Sequence, residues 1–121
     1  MKSTISQDNL LSLLANRIPE AQREFSLLSD DITLANILNK VFDVTDLLIS
    51  QHKFRAVKRC LLAVEELLLN GNQAIRNAVR NVYMYRLATL LYQRDAQSEL
   101  IHFLLPPTLR REYDQNTFPD E

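Results

Sequence analysis

Few residues of this 121-residue chain have the types and spacing that catalysis or metal binding requires. His52 and His102 lie far apart, and no set of three or four ligands at zinc spacing surrounds either. His52 fits the end of a helix, where a cationic side chain favours the helix dipole, and His102 fits a helix flank. Cys60, the single cysteine, falls on the apolar stripe of a helix and reads as core, since a nucleophile needs a base and an electropositive pocket. Glu65–Glu66 and Asp30–Asp31 are adjacent acids, whose side chains diverge by about 100° on a helix and form no dyad. No GxxxxGK[ST], HExxH, GxSxG or GxGxxG pattern occurs, and one glycine supplies no phosphate-cradling loop. The expectation is therefore no catalytic residue, no metal and no cofactor: a protein that is not an enzyme.

The stretch "NGNQAIRNAVRNVYMYRLATLL", residues 70–91, asks a different question, because it carries three arginines in an otherwise apolar and amide-rich helix. On a regular wheel with Ile75 at zero, Val79, Val82 and Leu90 lie within about 60° of it. Arg76 and Arg80 fall on the opposite flank beside Asn77 and Asn81. Arg86 falls at about 20°, inside the stripe, where an unpaired charge costs several kcal/mol. Glu65 on the preceding helix is its natural partner, so the pattern predicts a buried Glu65–Arg86 pair. Tyr83, Met84 and Tyr85 point about 100° apart, so they cannot all enter the core. Met84 falls nearly opposite Ile75 and Tyr85 on a flank. Arg80, Met84 and Tyr85 are thus the candidate partner-binding face, with the aromatic-plus-arginine chemistry that interface hot spots favour.

Two basic groups remain, Lys53, Arg55, Lys58 and Arg59 in "HKFRAVKR", and Arg110 and Arg111 in "LRREYD". Net charge is −1, which argues against a general nucleic-acid binder. Its distribution is uneven: residues 1–50 hold four basic and seven acidic side chains, and residues 51–112 hold ten and five. A local electropositive face around 53–59 is the footprint a nucleic acid would use through its phosphates, although no aromatic platform interleaves with it.

The elements that position these residues are helices. Hydrophobic residues make up 46% and charged residues 24%, and the chain contains one glycine and four prolines, which points to an all-α domain. A first helix starts at Ser3 or Ser6 with Leu10, Leu14 and Ile18 inward, and Pro19 opens a short second helix. A third, capped by Ser29 or Asp30, buries Leu34, Ile37, Leu38, Val41, Phe42, Leu48 and Ile49, leaving Leu47 alone on its polar side. A fourth, Phe54 to Leu69, turns Val57, Cys60, Leu61, Val64, Leu67 and Leu68 inward. Gly71 supplies a left-handed stop and Asn72 the next cap. A fifth runs from Gln73 to Tyr92, a sixth is capped by Asp95, and a short seventh restarts at the prolines 106–107. The prediction is one domain, residues 1–115, folded as a compact bundle of six to seven helices with a central antiparallel helix hairpin. A polar tail, 116–121, has Phe118 as its anchor. The start of the chain has no signal-peptide pattern, and no apolar run approaches the ~20 residues a membrane span needs. The cytosol is the simplest compartment.

The order "CLLAVEELLLNGNQAIRNAVRNVYMYRLATLL" followed by "LIHFLLPPTLRREYD", residues 60–113, resembles small all-helical bacterial proteins, some of them like immunity proteins of toxin–immunity systems. The resemblance implies a protein partner, a cognate toxin, and supplies no catalytic residues. The expected function is protein–protein binding with toxin neutralisation as its concrete form. The alternatives are a nucleic-acid-binding or regulatory protein using the 53–59 segment, and an accessory subunit of a bacterial complex. Oligomeric state is open at this point.

Overall fold

The computed structural model describes residues 4–29, 31–92 and 95–117, and it is an all-α bundle. Helix α1 spans Gln7–Arg17 and α2 Gln22–Ser26, the latter entered through a 3-10 turn at Pro19–Ala21. Ser6 is the N-cap of α1, its N–H donating to Asn9 Oδ1 at 2.9 Å. Leu10, Leu14 and Ile18 are fully buried, as their spacing predicts. Pro19 lacks the N–H that a continuing helix would need, so the chain turns there.

Helix α3 spans Leu34–Ser50, three to four residues shorter at its start than expected. The cap is Thr33, whose hydroxyl accepts from the Asn36 N–H, whereas the Ser29 hydroxyl donates to Asp31 within the preceding loop. Asp30 lies outside the described residues. At its other end α3 closes with a Schellman pair: the His52 N–H donates to Ile49 O at 2.9 Å and the Lys53 N–H to Leu48 O at 3.0 Å. His52 holds the left-handed position itself, at φ 59°, a conformation glycine more often takes. The histidine therefore stands at the end of α3 as expected, but it ends the helix through its left-handed backbone, not through the cationic side chain the sequence suggests.

Helix α4, Phe54–Asn70, is the centre of the fold and touches α1, α3, α5 and α8. All six residues predicted to face inward are buried, together with Ala56 and Ala63. Gly71 follows it with φ −73°, extended rather than left-handed. Space, not φ, selects glycine here: a Cβ would sit 2.5 Å from Leu67 O and 2.7 Å from Ile75 Cγ2. The same corner receives the N-terminal segment, with the Ile5 N–H donating to Asn70 O at 2.8 Å and the Asn72 N–H to Ile5 O at 2.9 Å.

Beyond the corner one continuous helix comprises α5 (Gln73–Ala78), a π-helical turn (Val79–Tyr83) and α6 (Met84–Leu91). The Asn72 side chain caps it by accepting from the Ile75 N–H at 2.9 Å. Helix α7, Ala96–Leu104, is capped by Asp95 as predicted, its carboxylate accepting from the Ser98 N–H at 2.7 Å. Helix α8, Pro107–Thr117, restarts at the prolines and passes the boundary expected at 115. Residues 118–121, including Phe118, lie outside the described residues.

Helix α4 holds the α7–α8 corner by charge. The α7 C-terminus leaves carbonyls that Pro106 and Pro107 cannot satisfy. Lys58 Nζ donates to Leu104 O at 2.6 Å, and the Arg110 guanidinium donates to Phe103 O at 3.1 Å and His102 O at 3.4 Å. About two turns further along α4, Glu65 Oε1 accepts from the Thr108 N–H at 2.9 Å and the Leu109 N–H at 3.0 Å. A cation thus meets the negative end of α7 and an anion the positive end of α8. Lys58 and Glu65, seven residues apart, share a face of one helix.

Candidate protein-binding face

Every fourth residue of the helix after the corner is buried: Ile75, Val79, Tyr83, Leu87 and Leu91. A regular α-helix drifts by about 40° per step of four, so five such positions would spread over about 160°. The π turn at Val79–Tyr83 removes that drift. It admits an extra residue and rotates everything after it back by about 100°, which returns Tyr83, Leu87 and Leu91 to the core.

Inside, the Tyr83 ring packs edge-on against Phe42, centroids 5.5 Å apart. Its hydroxyl lies 3.0 Å from Thr45 Oγ1, whose own proton goes to Val41 O at 2.8 Å, so tyrosine is the donor. Burial holds the Tyr83 hydroxyl protonated, well above its ordinary range. Burial likewise pushes the Cys60 thiol up to about 11. At neutral pH it is a packed thiol rather than a thiolate, in keeping with its expected place in the core.

The rotation corrects two expectations. Met84, expected outside, is buried at 4% exposure, because the π turn carries it from the outer face toward the core. Arg86, expected in the stripe, moves to a flank facing α3. There its Nη1 donates to Asp43 Oδ1 at 3.0 Å and Asn39 Oδ1 at 3.1 Å, with the guanidinium 4.5 Å over the Phe42 ring. Glu65 is not its partner. That carboxylate caps α8 instead, so the predicted Glu65–Arg86 pair is replaced by two separate contacts on different sides of the bundle.

The same rotation defines the surface that remains. Gln73, Asn77, Asn81, Tyr85, Thr89 and Tyr92 are exposed at intervals of three or four, with Tyr85 at 70% and Tyr92 at 74%. From Asn77 to Tyr92 the strip is about 22 Å long. Its hydrogen bonds are local: Gln73 Nε2 to Asn77 Oδ1 at 2.9 Å, Arg76 Nη2 to Gln73 Oε1 at 3.0 Å, and Thr89 Oγ1 to Tyr85 O at 3.0 Å. Arg80, exposed at the edge, meets Glu112 of α8 at 3.2 Å. Of the predicted face, Arg80 and Tyr85 therefore stand outside together, and Tyr92 joins them in place of Met84. One signal for this strip was in the sequence all along. Between Glu66 and Asp95 there is neither an acid nor a lysine, a depletion typical of interface cores, where tyrosine and arginine are enriched.

Several of the other candidate residues make contacts within the fold. Of the basic segment, Lys58 caps α7 and Arg59 pairs with Glu20, leaving Lys53 and Arg55 exposed. His102 lies 4.0 Å from Asp114 and packs edge-on against Tyr113. Among the described residues no three His, Cys, Asp or Glu side chains are grouped to hold a metal. Two open hollows of about 400 and 460 Å3 flank Leu11 and Ser12 on α1. Among the described residues Asp8 is the one ionisable side chain lining them. No helix among the described residues is long and apolar enough to cross a membrane.

A small all-α bundle with a charge-poor, tyrosine-bearing helix face is the class these features define. The family described as a domain of unknown function, DUF7674, matches residues 11–118, and the chain belongs to it. No curated protein and no solved structure matches the chain.

Proposed function

We propose that this chain is a protein-binding module that docks its partner on the outer strip of α5–α6. The observation that supports it most is the pairing of two widely exposed tyrosines with a run free of acids and lysines. Tyrosine supplies large contact area at low conformational cost, and a helix already packed by Tyr83, Leu87 and Leu91 is ordered before binding. For the partner, the resemblance of residues 60–113 to immunity proteins makes a cognate bacterial toxin the concrete proposal. The nucleic-acid alternative is weakened because Lys58 is taken up in capping α7 and Arg59 is paired with Glu20 on the surface.

The test is co-expression with the product of the adjacent gene, reading growth rescue and complex formation. The wild-type chain is expected to neutralise and co-purify with a toxin-domain product. Tyr85→Ala with Tyr92→Ala should weaken that complex by at least about 2 kcal/mol, roughly thirtyfold in Kd. A double variant that binds as the wild type removes the strip from the interface. A neighbouring product whose toxicity the chain leaves untouched removes the immunity role while leaving the docking strip to be tested on other partners.

A further inference from the structure

Helix α4 presents a second surface of its own. Arg55, Arg59, Leu62, Glu66 and Leu69 follow one another at steps of four and three, so they form a single stripe along the helix. Leu62 is 48% and Leu69 58% exposed, on a helix whose other sides are closed by α1, α3, α5 and α8. Leu62 lies between two ion pairs that link α4 to the end of α1 and the turn after it. On one side Arg59 meets Glu20. On the other, Glu66 accepts both Arg17 Nε at 2.8 Å and Arg17 Nη2 at 3.2 Å.

We infer that this stripe is the contact between two copies of the chain, related by a two-fold axis near Leu62. Arg59 and Glu66 stand about one helical turn to either side of that residue and carry opposite charge. A two-fold axis perpendicular to α4 reverses the helix, so Arg59 of each copy falls opposite Glu66 of the other. The flanking charges follow the same rule, because Glu20 of one copy comes to the side of Arg17 of the other. Leu62 meets its own symmetry mate at the centre, and Leu69 lies over the apolar stem of Arg55 of the second copy. The four charges and two leucines are complementary to themselves in this arrangement. A parallel pairing would instead set Arg59 on Arg59 and Glu66 on Glu66, a like-charge arrangement that disfavours it. The docking strip of α5–α6 stays outside this contact, so a dimer would present two copies of it.

Sedimentation of the full-length chain across its soluble concentration range decides the matter. The wild type is expected to pass reversibly from monomer to dimer. Arg59→Glu alone and Glu66→Arg alone should each weaken self-association by at least about tenfold. An equimolar mixture of those two variants should associate again, since one charge pair is then reversed and the other is original. Leu62→Lys, which leaves both internal ion pairs intact, should sediment as a monomer with an unchanged far-UV circular dichroism melt. A wild type that stays monomeric at every concentration overturns the inference. So does a dimer that survives Leu62→Lys, or a mixture of folded single variants that fails to associate. If the charge-reversed chains do not fold, the Leu62→Lys result alone carries the decision.

Discussion

The two helices of the central hairpin use their polar residues in opposite ways. On α4 the charged side chains reach across the molecule: Lys58 to the end of α7, Glu65 to the start of α8, Arg59 to Glu20 and Glu66 to Arg17. On the outer face of α5–α6 the polar groups bond within their own helix, Gln73 to Asn77, Arg76 to Gln73 and Thr89 to the Tyr85 carbonyl. Arg80 and Arg86 are the exceptions, and both sit on flanks. Long-range polar contacts fix the position of one helix end against another. Local ones satisfy donors without committing the surface to a neighbour. The first helix therefore holds the fold together, and the second is left with an ordered face free for a partner.

The sharpest way to break this contrast is at two adjacent residues. Met84→Ala removes a buried side chain beside the π turn and should cost about 2–5 kcal/mol in urea unfolding. Tyr85→Ala, one position on, should stay within about 0.5 kcal/mol of the wild type. Equal costs would mean that the outer strip is part of the core. A cheap Met84→Ala would mean that the helix continues through residues 79–83 without the π rotation.

Glu65 tests the other half of the contrast. Glu65→Ala leaves the Thr108 and Leu109 N–H groups without their acceptor at a helix start and should lower stability by about 2 kcal/mol. Glu65→Gln keeps an acceptor oxygen and should recover part of that loss. If Glu65→Ala is instead rescued by removing Arg86, the two side chains interact after all and the α8 cap is secondary.

Much of the architecture could be read from the sequence because it depends on local pattern. The inward residues of α4, the lone exposed Leu47, and the caps Asn72 and Asp95 all follow from periodicity or from a side chain three residues from its donor. The candidate site was only half legible. Placing Arg86 and Met84 required knowing that the helix contains a π turn, which a fixed 100° wheel excludes. The spacing of Ile75, Val79, Tyr83, Leu87 and Leu91 by four held that information, because a straight helix cannot keep them on one side. Glu65 was assigned to the wrong partner for another reason. Its donors are backbone N–H groups more than forty residues away, and no side-chain pattern announces them. The Ile5 contact with the Gly71 corner is equally non-local.

The hairpin corner gives a smaller effect in both directions. Gly71→Ala forces a Cβ onto the Leu67 carbonyl and the Ile75 side chain, and should cost about 1–2 kcal/mol. His52→Gly, where α3 ends in the left-handed region, should stabilise the fold by about 0.5–1 kcal/mol. A third variant, Gly71→Asn, would be tolerated if the left-handed stop lay at Gly71 instead, and His52→Gly would then gain nothing. Thermal melts of the three variants separate the cases.

The smallest effect is expected at Asp95, the local counterpart of the long-range caps that α4 provides. The Asp95 carboxyl is held below its ordinary range, first by the Ser98 backbone N–H and then by the Ser98 side chain. Because the folded state lowers this pKa, the ionised cap contributes fully above the unfolded value of about 3.9. Its contribution is lost as pH falls through the lower, folded value. Asp95→Asn keeps an oxygen that accepts from the same N–H but has no proton to gain. The wild type should therefore melt slightly higher than Asp95→Asn at neutral pH, and the gap should close as acid is added. Lys58→Met, which removes a different contact at the other end of α7, should show no such closing over the same acid range. A gap between wild type and Asp95→Asn that is constant with pH would show that the carboxylate charge does nothing at this helix start. The distinction between a local and a borrowed cap would then rest on hydrogen-bond geometry alone.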